Sequence, residues 1–471
     1  MPAMKKIAIP LLLSFLFFAI ISCEDNDDNA VPKVLQSKDF VWKGLNLYYL
    51  WKNKIPDLAD DRFANQDQLN TYTESFANPT ELFNGLLYDR ANVDKYSVIY
   101  SDYSVLEGVL TGNTKNNGVD FALQLKPGSS TEVYGWVRYI IPNSDASTKD
   151  IQRGDIFYAV NGTALTVENY RALLLNTDNY TLNLADYNGG NITPNGQSVT
   201  LTKTNLAENP IHLNTVITQG EKKVGYLMYN GFYAAYDNQL NTVFGNFKAQ
   251  GITHLVLDLR YNSGGSVNTA TKLASMITGQ FPGQIFAKQQ WNDKAQAYFE
   301  GKNPNSLINK FYNGLNSLNL TKVYILTSQF SASASELVIN CLKPYINVIQ
   351  IGDKTTGKNV GSITLYDSPT FAKKDVNPNH KYAMQPIVLK IVDKNGFGDY
   401  TAGIPPNTEV IEDHGNLGIL GNPDERLLNV ALNQISVSGR MKPIDNSKIR
   451  RDFTDSKALN PLRTEMYVEL E

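Results

Sequence analysis

The stretch "KVYILTSQFSASASELVINCL", Lys322–Leu342, decides the fold class. Its first half, "KVYIL", is a β-branched and aromatic run that reads as a buried strand. Its second half has helical spacing, with Leu337, Val338, Cys341 and Leu342 close to one face. Small hydroxyl residues fill the junction, and Ser333 with Glu336 three positions on also fits a helix-capping box. A strand running directly into a helix predicts a parallel α/β layout.

The neighbouring segments repeat that unit. "VGYLMYNGF" (Val224–Phe232) reads as a strand, and "NQLNTVFGNFKAQG" (Asn238–Gly251) as a helix closed by its glycine. "THLVLDLR" (Thr253–Arg260) is a buried strand and "NTATKLASMITG" (Asn268–Gly279) a helix. "INVIQIGD" (Ile346–Asp353) and "SITLYD" (Ser362–Asp367) read as a final strand pair. Further upstream, bulky residues from Phe40 to Tyr88 recur at three- and four-residue steps, as in a small helical domain spanning residues 37–100. From about Val105 to Lys203 the periodicity shortens to that of strands, a compact β-rich module over residues 105–205. The α/β region occupies residues 210–438, and 439–471 is a polar, charged tail without a readable pattern.

Composition narrows the function classes. The chain has 471 residues, 42% hydrophobic and 19% charged, as in ordinary globular proteins. A net charge of −3, with no basic run, excludes a nucleic-acid-binding surface from the reading. The four histidines are scattered, and two cysteines give neither a disulfide framework nor zinc spacing, so no metal or cofactor is expected. Lys5 and Lys6 precede a short apolar run ending at Cys23, the pattern of a secretory signal over residues 1–22. "AIISC" resembles a bacterial lipobox, which implies lipidation of Cys23. The acidic stretch that follows, within residues 23–36, reads as a solvated tether. The expected location is therefore the bacterial cell envelope, lipid-anchored to a membrane at the periplasmic or outer surface.

Three elements carry chemistry. A serine at a helix start has backbone N–H groups beside it that can hold an oxyanion, but its hydroxyl needs a base. "IGDKTTGKNVGS" supplies Lys358, which can serve as a base only if burial or neighbours depress its pKa. "LDLRYNSGGSV" places Asp258 and Arg260 at a strand end, ahead of Gly264 and Gly265, whose backbone can approach a substrate closely. Taken singly, each has a structural reading: cap, exposed loop lysine, tight turn.

Together they resemble the C-terminal-processing, or tail-specific, serine peptidases, over roughly residues 40–435. That family carries Asp-Leu-Arg, Asn and Gly-Gly after a strand, then Ser-Ala-Ser-Ala-Ser-Glu, then Gly-x-x-Thr-x-Gly-Lys. Here those are Asp258–Gly265, Ser331–Glu336 and Gly352–Lys358, and "GIPPNTEV" (Gly403–Val410) resembles a later family segment. The resemblance implies a crotonase-like or Clp-protease-like α/β core, Ser333 as nucleophile and Lys358, not Lys354, as general base. Ala334 with Gly264 or Gly265 would form the oxyanion hole. Members differ in the residue that orients the lysine; Glu336 is the best match, since Pro344 and Ser362 stand at the other two family positions. "VRYIIPNSDASTKDIQRGDIFYAVNGTAL" (Val137–Leu165) resembles a PDZ domain, and the loop Asn117, Gly118 and Val119 would then receive a peptide's terminal carboxylate. Unfolded proteins, or proteins with exposed C-termini, are the implied substrates. The alternative is a surface lipoprotein that only binds peptides through the PDZ groove. Penicillin-binding and α/β-hydrolase patterns are missing: Glu336 stands where Ser-x-x-Lys needs its lysine, and no Gly-x-Ser-x-Gly surrounds Ser333.

Overall fold

The structure, a computed structural model, describes residues 31–436, 445–446, 449–460, 462 and 464–469. Cys23 and the signal segment lie outside the described residues. The helical N-terminal stretch forms α1 (Gln36–Tyr48), α2 (Gln66–Glu74) and α3 (Pro79–Gly85). Asn65 and Asn78 cap α2 and α3 by accepting from the N–H groups of Gln68 and Glu81. The apolar face of α1 does not close a core of its own. Phe40, Val41 and Leu45 belong to the same buried cluster as Leu273, Phe286 and Leu337.

Next comes an antiparallel sheet of β1 (Val119–Leu125), β2 (Val133–Ile140), β3 (Ile156–Val160), β4 (Asn179–Asn188) and β5 (Asn191–Thr202), with α4 (Tyr170–Leu175). It has its own core, including Phe121, Leu123, Phe157, Leu174 and Leu182. β1 would be the free edge of this sheet were it not covered by a strand from the far end of the chain.

The α/β region follows the strand–helix reading. β6 (Ile211–Gln219) pairs antiparallel with β7 (Lys222–Tyr229). From β7 the sheet runs parallel through β8 (His254–Asp258), leaving room in chain order for β9 (Gly265–Ser266), β10 (Ile285–Trp291) and β11 (Ile308–Lys310) of a second sheet. It continues through β12 (Lys322–Thr327) and β13 (Asn347–Gly352). The crossovers are α5 (Asp237–Ala249), α6 (Val267–Thr278) and α7 (Ala334–Leu342). Both faces are buried, which explains the unbroken apolar runs. Leu255, Leu257, Val323 and Ile325 join the core beneath α5, α6 and α7. Val256, Tyr324 and Leu326 face the cluster of α8 (Arg426–Ser436) instead.

The expected final strand pair is not formed. β13 ends the parallel run, while β14 (Val360–Ser362) lies in the second sheet beside β15 (Ile387–Asp393), and Leu365–Tyr366 lies in a third. The loop between β13 and β14 turns the chain away, held by Thr356 N–H on Ser331 O at 3.0 Å. The last residues are not a loose tail where they are described. Thr454–Asp455, β16, adds to the edge of β1, and Met466–Tyr467, β17, lies in the second sheet between β9 and β14.

Candidate active site

The strand-end motif around Asp258 is structural. Arg260, fully buried, pairs with Asp258 at 2.7 Å, Glu425 at 2.7 Å and Glu412 at 3.1 Å. A buried guanidinium with this many carboxylate partners fixes the strand end as a rigid platform. From it, the turn at Asn262 is fastened to the serine turn: Ala332 N–H and the Ser335 hydroxyl both donate to Asn262 O, at 3.2 and 3.0 Å. Ser331 Oγ donates to Leu259 O at 2.8 Å. The flanking serines are thus spent on structure.

Ser333 is different. It occupies the N-cap position of α7 with φ 62° and ψ −115°, a region that L-residues seldom enter. Ordinary N-caps are extended, and their side-chain oxygen accepts a bond from the first turn. Ser333 and Glu336 are spaced as a capping box, and Ser333 N–H donates to Glu336 Oε2 at 2.7 Å. The reciprocal bond does not reach good geometry, for Ser333 Oγ is buried without a hydrogen-bond partner. Strain of this kind costs about 1–3 kcal/mol and is concentrated at functional sites. The positive φ and the unsatisfied hydroxyl together weigh against a purely capping role.

Glu336 binds backbone rather than the lysine amine. Its Oε2 accepts from both Ser333 N–H (2.7 Å) and Lys358 N–H (2.9 Å), and its Oε1 from Gly357 N–H and the Thr355 hydroxyl, each at 2.6 Å. One carboxylate therefore ties the serine turn to the lysine loop. Burial pushes its pKa up to about 7, against the pull of those four donors. Lys354, in the same loop, is exposed.

Lys358 is buried, and its Nζ has no hydrogen-bond partner. Burial lowers its pKa from the ordinary 10.5, while Glu465, Asp94 and Glu336 oppose that shift. The carboxylate facing its ammonium is Glu465 Oε1 at 3.7 Å, an ion-pair distance rather than a hydrogen bond. The Tyr96 ring also lies near the amine, with its centroid 4.9 Å from Nζ. Glu465 also accepts from the hydroxyl of Ser362, one of the family positions for the lysine-orienting residue. Neither Glu465 nor Tyr96 stood out in the sequence, because each is distant from every motif and sits in a stretch without periodicity.

The proposed oxyanion donors separate. Gly264 N–H already donates to Asn262 Oδ1 at 2.9 Å, which removes it from the set. Gly265 N–H points at a carbonyl, Glu465 O, at 2.5 Å. Ala334 opens α7, where an N–H has no intrahelical acceptor. Gly264 and Gly265 have φ of 122° and 136°, and a Cβ on Gly264 would stand 3.1 Å from Ser333 Oγ. Only glycine allows that approach.

The carboxylate loop is also changed by the structure. Gly118 N–H donates to Asn116 Oδ1 (2.9 Å) and Val119 N–H to Asn117 Oδ1 (3.1 Å), while Asn117 Nδ2 donates to Tyr180 OH (2.7 Å). The Gly118 and Val119 N–H groups are thus taken by loop side chains and are not free to hold an anion. A cavity of about 690 Å³ nevertheless joins this loop to Gly264 and Gly265.

Fold and site together define an α/β protein with an unbonded serine and a buried lysine fastened to one carboxylate. Residues 223–371 match the Peptidase family S41 domain, and residues 36–98 match the Peptidase S41 N-terminal domain. The chain thus carries peptidase family S41 domains over these two stretches. It is 27% identical over 192 residues to a probable CtpA-like serine protease of Staphylococcus epidermidis, covering 39% of this chain and 37% of that one. A protein of the same description from Staphylococcus aureus is 25% identical over 251 residues, 51% of this chain and 45% of the other. The chain therefore spans less than half the length of these relatives. The crystal structure of a protein assigned to the S41 proteases from Bacteroides fragilis NCTC 9343 superposes with a TM-score of 0.65 at 28% identity. That match covers 84% of this chain and 97% of the other.

Proposed function

We propose that the chain is a serine peptidase that cleaves proteins by acyl transfer, with Ser333 as nucleophile and Lys358 as base. The observation that carries this is the pairing of a strained, unbonded serine hydroxyl with a buried, unbonded lysine amine on opposite ends of the Glu336 clamp. Neutral Lys358 takes the Ser333 proton as Oγ attacks the peptide carbonyl. Gly265 N–H and Ala334 N–H hold the oxyanion. On collapse the C–N bond breaks and Lys358 returns its proton to the leaving amine. A water, deprotonated by Lys358, then attacks the ester and frees Ser333. Glu336 is a positioning residue in this scheme.

Residues 105–205 serve as a PDZ-like module that takes an extended peptide as an added strand on β1, beside α4. Because the loop at Gly118 is internally bonded, strand addition carries more of this recognition than capture of the terminal carboxylate. Lipidation of Cys23 would place the enzyme on the bacterial envelope; Cys23→Ala should release it from the membrane fraction. The catalytic reading is tested with an unfolded protein as substrate: wild type should cleave it, and Ser333→Ala should not. Equal cleavage by both would remove Ser333 from the mechanism.

A further inference from the structure

Ser333 has no exposed surface and Lys358 is 1% exposed, so no peptide carbonyl can reach them in this arrangement. What covers them is the chain's own far end. A Cβ on Gly264 would collide with the carbonyl oxygen of Glu465 and stand 3.1 Å from Ser333 Oγ, so that carbonyl and the hydroxyl crowd the same point. The carbonyl takes the Gly265 N–H, the donor expected to hold an oxyanion. From there β17 runs on as a strand between β9 and β14. Extended backbone with a carbonyl on the oxyanion donor, close to Ser333, is what a bound substrate would present.

The same segment occupies the other peptide track. β16 adds antiparallel to β1, with Thr454 opposite Leu123 and Asp455 opposite Ala122. Phe453 N–H donates to Leu123 O at 2.7 Å, and its ring stands edge-on to Tyr170 of α4, with centroids 5.9 Å apart. Strand addition to a sheet edge, with an aromatic anchor against the flanking helix, is the way β-augmenting domains take peptides. Polar contacts hold the segment in place: Asp455 pairs with Arg138 at 2.8 Å, and Lys457 Nζ donates to Tyr261 O at 2.7 Å.

We propose that the C-terminal stretches 451–460 and 464–469 are a built-in competitor, occupying both the strand-adding edge of β1 and the cleft at Ser333, and keeping the site closed until a substrate's tail displaces them. This rests on the peptidase reading above, and it names the regulation of that site. The Glu465 side chain contributes as well. Its carboxylate favours the charged form of Lys358, which cannot act as a base. Asp94 and Glu336 act in the same direction, and the Tyr96 ring lies 4.9 Å from the amine. A substrate that lifts the segment away thereby opens the cleft and removes one of the groups that keep the lysine protonated.

The test compares the full chain with Phe453→Pro, which removes both the ring and the N–H that bonds Leu123, and with a chain ending at Arg450. Phe453 is 47% exposed, so its replacement leaves the core intact. An intramolecular competitor acts at an effective concentration near millimolar, so detaching it should raise the initial rate on a short peptide by about tenfold or more. A synthetic peptide of residues 451–469 should bind the shortened chain saturably by fluorescence anisotropy and restore inhibition at about millimolar concentration. Glu465→Gln in the full chain should move the rate–pH profile to lower pH. Lower activity of Phe453→Pro with an unchanged melting temperature would overturn the proposal, as would a folded shortened chain that fails to bind the peptide. If no form hydrolyses any substrate while the peptide still binds, the peptidase reading falls and the competitor role of the segment stands.

Discussion

The serine turn, Ser331–Glu336, and the C-terminal stretch, 451–469, meet at Ser333 from opposite ends of the fold. The first is a compact run of six residues in which each polar side chain has a partner, save the one hydroxyl left free. The second reaches across two sheets and makes contacts more than three hundred residues away in sequence, such as Trp136 Nε1 to Asp452 Oδ1 and Arg138 to Asp455. Chemistry written into a local turn is recoverable from residue order. A cover assembled by long-range pairing leaves no periodic trace.

The largest expected effect belongs to the turn. Ser333→Ala and Lys358→Ala should each lower kcat/KM by roughly a thousandfold or more, since members of one catalytic unit are individually indispensable. Thermal unfolding should show both variants folded. Lys358→Arg should not recover activity, because guanidinium stays protonated. Exposed Lys354→Ala should keep the wild-type rate. Near wild-type turnover of Lys358→Ala would break the comparison at its root.

Glu336→Ala comes next and separates strut from cover. It strips four donors of a buried acceptor and should cost about 3 kcal/mol or more in denaturant unfolding. Glu465→Gln should cost far less stability, because it keeps the segment's backbone pairing. Equal losses would mean that both carboxylates are structural.

Proton linkage gives a smaller effect with a defined sign. Lys358 is depressed by burial from 10.5, so its neutral form appears at lower pH than in an exposed lysine. The rate should rise with pH through that depressed value and level off above it. Removing the Glu465 carboxylate takes away a group that raises the Lys358 pKa, so the rise should come earlier. A profile that shifts to higher pH in Glu465→Gln would contradict the placement of that carboxylate.

The smallest effect concerns the loop at Gly118. With its N–H groups bonded to Asn116 and Asn117, amidating a substrate's C-terminus should change cleavage by only about twofold. A loss of a hundredfold would restore carboxylate capture to the leading role.

Residue order revealed the strand–helix alternation because buried strands such as Val323–Leu326 are apolar on both faces and α7 has clear spacing. Ser333, Lys358 and the paired glycines were legible as candidates because they sit in compact motifs at element ends. Glu336 was legible as a partner but not in its role, since spacing alone cannot say whether a carboxylate faces an amine or backbone N–H groups. Gly264 was named as a donor because nothing in the sequence shows that Asn262 already accepts its N–H. Glu465 and Tyr96 were invisible. Each reaches Lys358 only through the tertiary fold, one from the position just before a strand of two residues and the other from a loop after α3.

Covalent trapping reads the reactivity of the Ser333 hydroxyl directly. Full-length chain, Phe453→Pro and Lys358→Ala would each be incubated with a serine-reactive fluorophosphonate, then digested and mapped by mass spectrometry. One adduct is expected, on Ser333, forming slowly in the full chain, faster in Phe453→Pro and barely at all in Lys358→Ala. An adduct on another serine, or equal labelling of Ser333 with and without Lys358, would contradict it.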